Sequence, residues 1–123
     1  MPKVMDNKKF ARQLEERTKK FAISVIRLSA QLPVSVEGKV VRNQFAKAGT
    51  SVGANYREAN RARSKADFSN KIRICESESS ETIYWLEIIE DLSWISPEKS
   101  TPILKEANEL LSIFTSTGKT LKL

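Results

Sequence analysis

The chain contains no histidine and a single cysteine among 123 residues. Losing histidine removes the commonest general base and the commonest transition-metal ligand. The Glu-x-x-His pairs of di-iron bundles cannot be built without it. A lone Cys75 excludes an internal disulfide and fits a reducing compartment. Glycine and proline number only four each, so few breakers interrupt regular structure. No apolar run approaches the roughly 20 residues that a membrane span needs. The opening Met1-Pro2-Lys3-Val4-Met5-Asp6 lacks the apolar core of a signal peptide. These absences make a cytoplasmic location the expectation. No Gly-rich phosphate loop, activated nucleophile, acid–base pair or cofactor motif is present, so no enzymatic activity is expected.

What is present is helical patterning and positive charge. Hydrophobic residues make up 40% and charged residues 29%, the balance of a folded chain with one core. The length fits one domain, residues 1–123. Net charge is +6, but its distribution is more telling. Residues 1–73 hold 17 Lys and Arg against 6 Asp and Glu; residues 74–123 hold 4 against 9. A basic part and an acidic part suit either a polyanionic partner or head-to-tail self-association.

Four segments carry the helical period. The first, about Asp6 to Leu32, places Phe10, Leu14, Phe21, Val25, Leu28 and Leu32 on one stripe, with Asp6 as its N-cap and Pro33 as its end. The second, about Glu37 to Ala62, turns Val41, Phe45, Ala48, Val52, Asn55, Ala59 and Ala62 one way. Gly49 and Gly53 interrupt it at a cost of about 1 kcal/mol each, which close packing would offset. The third, about Lys65 to Ile95, is capped by Ser64 and has two seams. Phe68, Ile72, Cys75, Ser79, Thr82, Leu86 and Ile89 form one; Trp85, Ile88, Leu92 and Ile95 form the other. The fourth, about Glu98 to Phe114, follows a Ser96 cap and Pro97, with Gly118 as a stop signal. Short loops between long helices predict an all-α, up-down-up-down antiparallel four-helix bundle.

The second segment has a basic side. At 100° per residue, Lys39, Arg42, Lys47, Arg57, Arg61 and Lys65 fall within an arc of roughly 140°, opposite the apolar set. Arg63, Lys71 and Arg73 extend positive charge into the third segment. Such a stripe suits a phosphate backbone contacted without base readout. Its alternative is a solvated charged face. Glu58, Glu78 and Glu81 could gather round a hard cation, or pair with Asn55, Tyr84 or nearby arginines. Cys75 sits on an apolar seam and reads as a small buried hydrophobe.

Thr50-Ser51-Val52-Gly53-Ala54-Asn55-Tyr56-x-Glu58-Ala59, then Ala66-Asp67-Phe68, then Glu78-x-x-Glu81-Thr82-x-Tyr84-Trp85-Leu86 form an ordered pattern. It resembles the four-helix-bundle proteins encoded in intervening sequences of bacterial 23S rRNA genes. The accessory variability protein of diversity-generating retroelements is a relative of that family. The resemblance spans roughly residues 10–115. It implies a ring-like homopentamer, often with a central channel, and nucleic-acid binding through a basic surface, without enzymatic activity. It marks Ser51, Gly53, Asn55, Tyr56, Glu58, Glu78, Glu81, Tyr84 and Trp85 as signature positions with structural roles. Asn55 and Glu58 are expected to meet Glu81 or Tyr84 in a shared polar network between the second and third helices. Cys75-Glu76-Ser77 departs from the family's small–apolar–basic tendency, and Ser79 stands where alanine is common. The departures shift the expected nucleic-acid contact toward the second helix. The competing function is a protein adaptor, for example to a reverse transcriptase-like partner, without direct nucleic-acid binding.

Overall fold

The computed structural model describes residues 4–121, with side chains from residue 7 onward. Four helices occupy it: α1 (Val4–Ser29), α2 (Val36–Ala59), α3 (Lys65–Asp91) and α4 (Pro97–Leu121). There is no strand among the described residues, and no helix there is long and apolar enough to cross a membrane.

The helix boundaries follow local chemistry. Ser35 opens α2 by accepting the Gly38 amide at 3.1 Å, and Ser64 opens α3 by accepting that of Asp67 at 3.0 Å. Pro97 is the first residue of α4, where its missing N–H costs nothing. Each of the first three helices stops earlier than its periodicity suggests. α1 ends at Ser29 because the Gln31 and Leu32 amides tighten onto Leu28 and Ser29. α2 ends at Ala59, capped by Asn60, and Ala62 lies in the turn. α3 ends at Asp91; Ser93 takes a left-handed φ of 57°, which swings Trp94 and Ile95 back over the bundle end. Conversely, α4 runs through Gly118 to Leu121, so Gly118 is not a stop. α1 begins at Val4, which puts Asp6 in the first turn rather than before it; the Asp6 side chain lies outside the described residues.

The pairings between neighbours all run in opposite directions. Thr18 and Val25 of α1 meet Gly53 and Gly49 of α2. Across α2 and α3, Val52 faces Cys75 and Glu58 faces Lys71. Glu76 and Glu90 of α3 meet Thr115 and Ser100 of α4. Arg17 of α1, and Gln31 just beyond its end, meet Glu106 and Lys99 of α4. In every pair one residue number rises as the other falls, the mark of antiparallel neighbours.

Nearly all the expected stripe residues are inside. Phe21, Val25, Phe45, Val52, Ile72, Leu86, Ile89, Leu110 and Phe114 belong to one buried cluster. Tyr56 of α2 packs on Phe114 of α4 across the diagonal, ring centroids 5.7 Å apart. The buried hydroxyls of Thr18, Ser79 and Thr82 donate to the carbonyls of Leu14, Cys75 and Glu78, one turn back. That satisfies them inside their own helices, so polar residues sit on an apolar seam without an orphaned group. Phe10 and Leu92 depart from expectation: Phe10 is 53% exposed, beyond the reach of the core at the α1 end, and Leu92, expected on the second seam of α3, is 49% exposed just past the end of that helix.

Candidate nucleic-acid interface

The interface rests on the close fit of α2 to α1. A Cβ placed on Gly49 would lie 2.6 Å from Val25, and one on Gly53 would lie 2.9 Å from Thr18. The two glycines therefore let α2 sink against α1, not against α3. With that side and the core side occupied, the outer surface of α2 is left to its long cations.

The nine basic residues divide by environment. Lys39, Arg57, Arg61, Arg63 and Lys65 are exposed, and none forms a salt bridge among the described residues. Four of these five cluster where α2 ends, the connecting turn runs and α3 begins. Lys47 is also exposed but lies close enough to Glu78 to favour its ionised form. The other three stand apart from these. Arg42 folds back so that Nη2 donates to the Leu32 carbonyl at 2.9 Å, while its Nε is buried without a partner. It ties the α1 end to α2. Lys71 is held by Glu58 at 2.6 Å, and that hydrogen bond raises its pKa. Arg73 lines a separate groove between α3 and α4, shared with Glu76, Glu81 and Tyr84. Carboxylates there make a poor setting for phosphate.

One contributor lies outside the second helix, and the stripe on α2 gives no sign of it. Lys19 of α1 lines the same groove as Arg57, together with Thr18, Thr50 and Gly53. Its signal in the sequence is the run of Lys and Arg along α1, but only the α1–α2 packing shows which of them flank Arg57.

The expected polar network across α2 and α3 does not form within the subunit. Asn55 Nδ2 donates to Ser51 O at 2.8 Å, and Ser51 Oγ to Lys47 O at 2.6 Å. Glu58 takes Lys71, while Glu81 accepts from Trp85 Nε1 at 3.2 Å. Tyr84 is 55% exposed and packs edge-on against Trp85, centroids 5.1 Å apart. The cause is register. With Glu58 opposite Lys71, Glu81 lies nearly three turns further on, on the order of 15 Å along the axis. The three glutamates do not converge, and no group of three potential metal ligands exists among the described residues. Burial raises the Glu78 pKa, the Glu81 carboxylate adds to the shift, and Lys47 partly offsets it. Cys75 is fully buried, and desolvation pushes its thiol up to about 12, away from the reactive thiolate form.

These features define a class: an antiparallel four-helix bundle with a glycine-seated second helix and exposed cations on its outer side. The family model of the 23S rRNA-intervening sequence protein matches residues 12–116, and the chain belongs to that family. A similar solved structure is that of a protein with unknown function from the S23 ribosomal protein family of Bacteroides thetaiotaomicron. It is 34% identical, covers 85% of this chain and 97% of its own, and superposes with a TM-score of 0.79. No curated protein matches the chain.

Proposed function

We propose that this protein is a non-enzymatic, self-assembling bundle that binds RNA or DNA electrostatically through the basic side of α2 and the α2–α3 turn. The observation that carries this reading is the set of five exposed cations, Lys39, Arg57, Arg61, Arg63 and Lys65, that have no ionic partner among the described residues. Cations already paired inside the protein would gain little from phosphate; unpaired ones can release the counterions condensed on a nucleic acid. Few aromatic rings accompany them, so binding depends on backbone charge more than on base identity. Membership of the family supports a homopentamer, which would repeat the basic turn around a ring and multiply the affinity.

Binding measured against salt tests the reading. Affinity should fall with a log–log slope of about −0.9 per phosphate neutralised on duplex DNA. Arg57→Glu, Arg61→Glu and Lys65→Glu together should abolish binding while helicity persists. No binding to either nucleic acid at low salt would sink the proposal. Co-purification of a protein partner without nucleic acid would then favour the adaptor reading.

A further inference from the structure

Two outward stripes remain after the core and the basic turn are accounted for. On α1, Lys19, which also borders the Arg57 groove, Ile23 and Ile26, with Ala30 just beyond the helix end, recur at spacings of four, three and four, and all are exposed. Ile23 and Ile26 are 39% and 50% exposed, and Lys20 and Arg27 flank them. On α3, Glu81, Tyr84, Ile88 and Asp91 recur at three, four and three, with Leu92 adjoining. Tyr84 and Leu92 are 55% and 49% exposed, and Ile88 is half-buried. This heptad-like spacing is what a helix presents to a partner helix, yet the bundle's own seams are made by other residues. Each stripe spans on the order of 16 Å of helix.

From this pairing we infer that the outer face of α1 on one copy of this chain docks on the outer face of α3 of a second copy. The inference rests on the self-assembly part of the proposed function and assigns it two faces. Charge decides the occupant. The α1 stripe is apolar with a border of Lys19, Lys20 and Arg27 against one acid, Glu16, so it is basic on balance; the α3 stripe is apolar with an acidic border of Glu81, Glu87 and Asp91. Pairing α1 with α1, or α3 with α3, would set like charges against each other across the apolar centre. Pairing α1 with α3 sets opposite charges at the rim and apolar side chains in the middle, as in a protein interface. Because the two faces differ, the contact is heterologous; each copy donates one face and receives on the other, so copies close into a ring or extend as a filament. The Trp85–Glu81 hydrogen bond and the Tyr84–Trp85 edge contact hold the receiving face in shape.

Light scattering and sedimentation of the full chain test the assignment, with circular dichroism confirming the fold. Lys19→Glu with Arg27→Glu should weaken self-association about tenfold or more, as should Glu81→Lys with Asp91→Lys. All four changes in one chain exchange the two charges and should restore assembly to within about threefold of the natural protein. If the natural chain assembles and neither double variant weakens it, or the fourfold variant stays dissociated, the face assignment is overturned. If the natural chain is monomeric at every concentration, self-assembly itself fails, and the assignment fails with it.

Discussion

The first helix has two neighbours, and it meets them in different ways. Against α2 it makes a close seam, where Val25 and Thr18 lie over Gly49 and Gly53. Against α4 it is joined at the surface by Arg17, which reaches Glu106 at 2.6 Å and Glu109 at 2.7 Å, and by Gln31 with Lys99. The first seam is backbone against side chain with water excluded; at the second, long polar side chains with water at hand rim a groove that Phe21, Pro102 and Ile103 also line. Dispersion and apolar burial act fully in the first, whereas screening and side-chain entropy reduce the second. A helix can therefore be fixed on one side and only tethered on the other.

The largest expected effect breaks the close seam. Gly49→Leu must displace Val25 and should cost about 3 kcal/mol, at the upper end of overpacking penalties. Chemical denaturation would show it, and Val25→Ala in the same chain should recover part of the loss. Gly118 is the control. It lies inside α4, and a Cβ added there would meet nothing within 4 Å. Gly118→Ala should therefore stabilise by about 0.5–1 kcal/mol through helix propensity alone. A loss there would mean that α4 does not run through this position. Arg17→Gln cuts the tether and should cost about 0.5 kcal/mol, less in high salt, because the ions are partly solvated. A cost matching that of Gly49→Leu would erase the contrast between the seams.

The smallest effect is a pH test on the α2–α3 seam. Burial raises the Glu78 pKa, so the folded state holds that proton more tightly than the unfolded chain. Its contribution is complete below the ordinary carboxylate pKa of about 4.3 and is lost as pH rises through the folded value. Glu78→Gln keeps the neutral form. It should stabilise by a few tenths of a kcal/mol at about pH 7 and by nothing at about pH 3. Thermal melts at the two pH values would read the difference.

Much of this was legible in the chain. The apolar stripes named the core because a 3.6-residue period directs side chains to one side, and Ser64 and Pro97 marked true helix starts. Gly49 and Gly53 announced a close approach, but not its partner, since a glycine records that space is short and not which helix takes it. The paired signature of Asn55, Glu58, Glu81 and Tyr84 misled. Helical spacing puts residues on a side of a helix but carries no information about the height at which a neighbour meets them.

The sequence by itself determined four amphipathic helices, a chain without histidine chemistry, and an excess of cations in its first 73 residues. Those properties are set by composition and by local periodicity, which any reading of neighbours along the chain recovers. Only the tertiary structure decided which cations are free. Arg42 is occupied by the Leu32 carbonyl and Lys71 by Glu58, while Arg57, Arg61, Arg63 and Lys65 keep no ionic partner among the described residues. Ion pairing and hydrogen bonding act over a few ångströms through space. The antiparallel register, which sets those distances between residues remote in sequence, exists only once the helices have packed.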